Sequence, residues 1–190
     1  MEDVALPGRT RFHAGNLPVA VLKGLQRGHS RDLASLLLTR RRELDECARV
    51  FVDERLGVYV SAATESLSLA ALWPGPALAR LRDQWNRQQR RNADLLQALS
   101  AIDSAFERAG IEYLLLKGLP LADRLYGDIS RRFTWDLDLL VRESDVARGL
   151  VILTRLGVPA PPLTFGLDRV ARRVAHAMEC RRQDGLSVDL

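Results

Sequence analysis

Residues 111–141 read IEYLLLKGLPLADRLYGDISRRFTWDLDLLV, and the order of patterns in this stretch decides the fold. Ile111 to Leu116 is a short apolar run interrupted by Glu112 alone, and it reads as a strand covered on both faces. Gly118 and Pro120 break it, and Leu119 to Tyr126 has helical spacing, with Leu121, Ala122 and Leu125 on one side. Gly127-Asp128 opens a loop that contains Arg131 and Arg132. Trp135 to Val141 then reads as a second strand, whose alternation puts Asp136 and Asp138 on one face and Leu137 and Leu139 on the other.

Downstream, Glu143 or Ser144 opens a helix that runs through Val146, Leu150, Val151 and Leu153 to Gly157. Pro159, Pro161 and Pro162 read as a linker, followed by a helix from about Asp168 to Cys180. Leu186 to Leu190 reads as a third strand, with Val188 and Leu190 on one face and Asp189 on the other. Upstream, Ser30 is an N-cap candidate for helical spacing through Leu33, Leu36, Leu37, Leu44, Val50 and Phe51. A run rich in small and apolar residues, Val58 to Leu72, ends at the breaker Trp73-Pro74-Gly75-Pro76. The longest helix is expected from about Ala77 to Ala109, with Leu78, Leu81, Trp85, Leu95, Leu96, Leu99, Ile102 and Phe106 on its apolar face and Gly110 closing it. Residues 1–29 have little periodicity and read as a loosely ordered arm, 30–109 as a helical region, and 110–190 as a core. Helices first, then strands mixed with helices, predict an α+β architecture, a helical N-terminal region packed on a small mixed β-sheet.

The 190 residues suffice to bury a real core, and hydrophobic and charged fractions of 47% and 27% are near the globular norm. No stretch reaches the roughly 18 apolar residues of a membrane span, and no basic segment followed by an apolar block marks a signal peptide at the start. Cys47 and Cys180 lie far apart without a CxxC partner, so they are expected to be reduced thiols of a cytoplasmic protein. The net charge of +4 is carried almost wholly by arginine, with Lys23 and Lys117 the only lysines, and says little by itself about a nucleic-acid partner.

The chemistry concentrates on the second strand. Carboxylates at i and i+2 stand roughly 6.5 to 7 Å apart at their Cα atoms and face the same side. Among Leu137, Leu139, Leu140 and Val141 such like charges are costly unless a cation lies between them. Mg²⁺ favours oxygen ligands and takes one or two carboxylates together with substrate phosphates. An isolated DxD is common at strand ends, so the weight here comes from the matching strand and the turn before it. That turn is Leu116-Lys117-Gly118: a glycine after a buried strand lets the backbone come close to a ligand or take a positive φ, and the next helix offers free N–H groups to a phosphate.

These residues resemble a family. The strand ending in KG, the helix ending in LYGD, the arginine four residues before an aspartate and the closing DxDLLV look like the uncharacterised bacterial nucleotidyltransferases of the DNA polymerase β-like superfamily. The resemblance covers about Asn92 to Leu156 and fades on either side. It implies that Asp136 and Asp138 hold Mg²⁺, or Mn²⁺ in its place, and that Gly118 lies in the turn that approaches the triphosphate of an NTP substrate. Lys117 and Arg132 match the family's recurrent basic residues, and their charge and place suggest phosphate contacts. Superfamily members use a third carboxylate on a later strand to activate the acceptor hydroxyl, and the tail Gly185 to Leu190 looks like that strand, which makes Asp189 the candidate. Leu119 departs from the small residue that the wider superfamily has after the turn glycine. Relatives are also expected to continue past the strand of Asp189, so the core is expected to be truncated at its C-terminal end.

The implied reaction moves a nucleoside monophosphate to an unknown acceptor hydroxyl; the alternative is a non-catalytic nucleotide- or metal-binding protein with a partner or regulatory role. Arg80, Arg82, Arg87, Arg90 and Arg91, interleaved with Trp85, would suit nucleic acid, but i, i+4 pairing with Asp83 and Asp94 favours a solvated face. His176, Glu179 and Cys180 share helical spacing but lack a fourth metal ligand, which favours an ordinary histidine.

Overall fold

The computed structural model describes residues 17–28, 30–159 and 178–190. The chain divides into two compact units, Met1–Gln89 with Ser130–Phe133, and Arg90–Ile129 with Thr134–Leu190.

In the first unit, helices α1 (Leu17–Arg27), α2 (Ser30–Thr39), α3 (Leu44–Asp53) and α4 (Gly57–Ser66) surround one apolar core. Helix α1 falls where the sequence suggested a loose arm: Leu17, Val21 and Leu25, four residues apart, are buried on one stripe. The 4-residue period was there, but Pro18 and Gly24 within it and the Gly- and Pro-containing stretch before it obscured it. Phe51 and Trp73 meet edge-on with centroids 6.5 Å apart in this core. The breaker before the long helix marks its start, since α5 spans Gly75–Ala109 with Pro76 in its first turn, where a missing N–H costs nothing. Within the first unit its stripe is Leu81, Gln84 and Gln88, all buried, and Gln84 donates to the Val52 carbonyl at 2.8 Å.

The second unit holds the rest of α5, whose Leu95, Ala98, Ile102 and Phe106 are buried, while Leu96, expected on that stripe, is exposed. Gly110 ends the helix with φ of 64°, as a C-terminal glycine should. Next come β1 (Tyr113–Leu116), α6 (Gly118–Tyr126), β2 (Asp136–Val141), α7 (Val146–Arg155), β3 (Glu179–Arg181) and β4 (Ser187–Asp189). The sheet order is β1-β2-β4-β3, with β1–β2 antiparallel, β2–β4 parallel and β3–β4 antiparallel. Helices and a small mixed sheet give the α+β fold expected from the sequence.

One face of this sheet is core: Leu137, Leu139, Val188 and Cys180 are buried with Phe106, Leu119 and Leu153. Two expectations need correcting here. Strand β1 lies at a sheet edge and is covered on one face alone, leaving Leu114 63% exposed and Leu116 37% exposed. An apolar run therefore did not mean burial on both sides. In α6 the buried residues are Gly118, Leu119 and Ala122, and Leu125 is exposed, because the buried stripe starts at Gly118, three positions before the expected Leu121. The helix expected over 168–180 lies mostly outside the described residues, and at its end Glu179–Arg181 is a strand.

Candidate active site

The other face of the sheet carries the charged residues. Asp136 and Asp138 alternate with the buried Leu137 and Leu139, so the core contacts of two leucines fix the side to which both carboxylates point. Register then decides their neighbours. Asp138 lies opposite Leu116 on one side and opposite Asp189 on the other. Because β2 and β4 run parallel, laterally paired residues project to the same face, and Asp189 stands beside Asp138. Strand β3 adds Glu179 opposite Asp189.

The turn from β1 into α6 supplies the cation. Lys117 is the N-cap of α6 with φ 49° and ψ −129°, a conformation that side-chain-bearing residues rarely adopt. The positive φ anticipated at the glycine thus belongs to the lysine. Gly118 serves close packing instead: a Cβ there would stand 2.9 Å from Thr134 Cγ2 and 3.5 Å from the Asp136 carbonyl oxygen. Lys117 Nζ donates to Asp138 Oδ1 at 2.9 Å, with the lysine side chain 70% exposed and the aspartate 13%. In α6, Pro120 has no N–H and the Leu121 N–H bonds the Lys117 carbonyl at 2.9 Å, so Gly118 and Leu119 carry the N–H groups without a helical partner.

The electrostatics follow from this crowding. Burial pushes the Asp136 carboxyl above the usual aspartate range, and the negative Asp138 adds to the rise. Asp189 is raised by burial first, then by Asp136, Asp138 and Glu179. The Lys117 ammonium is held above its ordinary value, chiefly by its hydrogen bond and charge interaction with Asp138, with smaller contributions from Asp136 and Asp189. Glu179 moves the other way, lowered by hydrogen bonds from Arg181 at 2.7 Å and from the Ser187 hydroxyl at 3.1 Å.

As the side chains are placed, no group of three His, Cys, Asp or Glu among the described residues is close enough to hold a metal ion. The donor set itself fits a hard divalent cation. It offers carboxylate oxygens alone, and Asp189 Oδ1 is buried without a hydrogen-bond partner among the described residues.

Arg91, read in the sequence as part of a solvated face, has a structural task. Its guanidinium donates to the Trp135 carbonyl at 2.8 Å and the Gly185 carbonyl at 2.6 Å, and it lies 4.7 Å from the centre of the Trp135 ring. It thereby ties the residue before β2 to the turn before β4. Arg80 and Arg82 pair with Asp45 and Glu65, and Arg87 pairs with Asp83 one helical turn away. Arg132 belongs to the first unit, and its Nε is buried without a hydrogen-bond partner among the described residues. Thus Lys117, Gly118, Asp136, Asp138 and Asp189 come together within the second unit, whereas Arg132 is assigned to the other. His176 lies outside the described residues, and Glu179 and Cys180 face opposite sides of β3, with Cys180 in the core. Both cysteines are free and buried, and burial lifts Cys47 to about 12 and Cys180 to about 11.

Glu179 and Arg91 are read from the sequence in other roles, the one on a helix and the other on a solvated face, and the structure reassigns both. For Glu179 a signal existed: Asp184-Gly185 between the alternating runs Glu179–Arg181 and Leu186–Leu190 is a hairpin pattern, and Gly185 takes φ of 86° there. For Arg91 no local pattern could have indicated carbonyl partners so far along the chain.

No helix among the described residues is long and apolar enough to cross a membrane. Comparisons with curated proteins and with solved structures give no match. The sequence profile of a family described as "Uncharacterised nucleotidyltransferase" matches residues 40–190. That span takes in α3 to β4 and every residue of the acidic face, and on this match the chain belongs to that nucleotidyltransferase family.

Proposed function

We propose that this chain transfers a nucleoside monophosphate from an NTP to an acceptor hydroxyl with Mg²⁺ (or Mn²⁺) assistance, on a site of the DNA polymerase β-like kind. The observation that carries this reading is the register that sets Asp189 beside Asp138, with Asp136 on the same face. Asp136, Asp138 and Asp189 would hold the cation, which when bound neutralises phosphate charge and acidifies the acceptor hydroxyl. Lys117 contacts phosphate oxygens, and the N–H groups of Gly118 and Leu119 face the triphosphate at the start of α6. Asp189 takes the proton of the acceptor hydroxyl as its oxygen bonds the α-phosphorus. The bond from that phosphorus to the bridging oxygen breaks, and pyrophosphate leaves. The free buried thiols support a cytoplasmic setting.

A second reading has one observation in its favour. Among the described residues no three ligating side chains converge as placed, which suits a site that binds nucleotide or metal for a partner or regulatory role without turnover. Incubation with each α-labelled NTP and Mg²⁺, with and without cell extract, separates the two. Label transfer that vanishes in Asp136→Asn and Asp138→Asn is the expected result. Transfer that survives both substitutions overturns the site, and nucleotide binding that needs both aspartates without any transfer supports the second reading.

A further inference from the structure

Lys117 stands where the negative potentials of three carboxylates add. Its Nζ is 2.9 Å from Asp138 Oδ1, Asp189 is the lateral neighbour of Asp138, and Asp136 lies two residues along the same face. Lys117 caps α6 with φ of 49°, and from that turn its side chain reaches Asp138 on β2. Yet this side chain is 70% exposed, and its tip is held by the ion pair with Asp138. A long, solvated side chain held by one charge contact is easily moved; its partner, 13% exposed on a strand, is not.

We propose that Lys117 is a built-in counter-ion that occupies the cation position at Asp138 in the free protein and must be displaced when a divalent cation binds. This rests on the reading that Asp136 and Asp138 hold that cation. Two positive charges cannot share one oxygen of Asp138 at contact distance without strong repulsion. The displaced ammonium then needs a new anionic partner, and the triphosphate of the incoming nucleotide supplies one. Metal and nucleotide therefore help each other to bind, and the cation alone binds weakly. The coupling is a property of one side chain: with no positive charge at position 117, the cation binds tightly alone and gains less from nucleotide.

The sequence makes this testable, because Lys23 and Lys117 are the only lysines, and Lys23 is an exposed residue of α1. Competitive amine acylation of the intact chain, read by mass spectrometry, reports Lys117 with Lys23 as internal reference. Mg²⁺ should raise the Lys117-to-Lys23 labelling ratio several-fold. In Asp138→Asn the ratio should be high without Mg²⁺ and indifferent to it. In Mn²⁺ titrations Lys117→Met should bind about tenfold more tightly than the natural chain, and Lys117→Arg, which keeps the charge, should stay near it. If Mn²⁺ binding is lost in Asp136→Asn but the labelling ratio stays flat at saturating cation, displacement is overturned and the metal site stands. If Asp136→Asn and Asp138→Asn bind Mn²⁺ as tightly as the natural chain does, the metal site itself is overturned.

Discussion

Gly118 has no room for a side chain, and the obstacle is a branched one. Thr134 is 3% exposed, and its Cγ2 would lie 2.9 Å from an added Cβ, so it cannot swing away as the tip of a flexible chain would. Gly118→Ala should cost about 1–3 kcal/mol in urea unfolding. Thr134→Ser, which deletes the offending methyl, should restore most of that loss when combined with it. The acidic residues make the opposite kind of prediction. Asp136 and Asp189 have folded-state values raised above the ordinary aspartate value of 3.8, so between that value and their raised ones the native state binds more protons than the unfolded chain. Their contribution to stability therefore falls as pH rises through that window and remains unfavourable above it. Asp189→Asn should stabilise the metal-free protein by roughly 0.5–2 kcal/mol at pH near 7, toward the lower end because solvent screens a partly exposed carboxylate. The gain should shrink as the pH approaches 4, and denaturation curves at the two pH values measure it. The aspartates were legible in the sequence because alternation on a strand is local. The Thr134 contact was not, since it joins a turn to a segment in a different part of the chain.

Among the elements, the two three-residue strands β3 and β4 carry more of the site than their length suggests. Such short ladders are weak by themselves, and here Arg91 braces one end. Arg91→Ala leaves the Trp135 and Gly185 carbonyls without their charged donor and should cost about 1–3 kcal/mol in stability. Arg91→Lys should recover only part of it, because an ammonium lacks the planar fork and the stacking on Trp135. Mn²⁺ affinity should weaken in the same order if the brace also sets the spacing of Asp138 and Asp189. Helices with uniform apolar stripes were easy to find from sequence, as α5 shows over Leu95 to Phe106. The same helix was misread where its buried stripe turns polar, at Gln84, Gln88 and Asn92, since hydropathy gives no hint that Asn92 donates to the Ile129 carbonyl at 3.0 Å. Strand β3 was hidden for a related reason: Glu179-Cys180-Arg181 is too short for its own period to decide between helix and strand, and its signal lay in the Asp184-Gly185 turn instead.

For the whole molecule, two apolar cores serve two units, and the acidic face belongs to the second. A cation that binds this face in the folded state alone must raise stability, by about 2.7 kcal/mol at a hundredfold excess over its dissociation constant. Thermal unfolding with and without Mg²⁺ and nucleotide should show a rise in Tm that disappears when Asp136 and Asp138 are both replaced by Asn. The fold class was readable at this scale, because the change from helical to alternating periodicity after Gly110 is global. The sheet order was not, because pairing depends on contacts between distant segments. That same pairing has a kinetic meaning. Asp138 and Asp189 are neighbours in the sheet but about fifty residues apart along the chain, and closing so long a loop is entropically expensive until many other contacts support it. The carboxylate trio is therefore complete only once β4 has paired with β2, and a ligand that requires all three can recognise only a chain that has finished the journey.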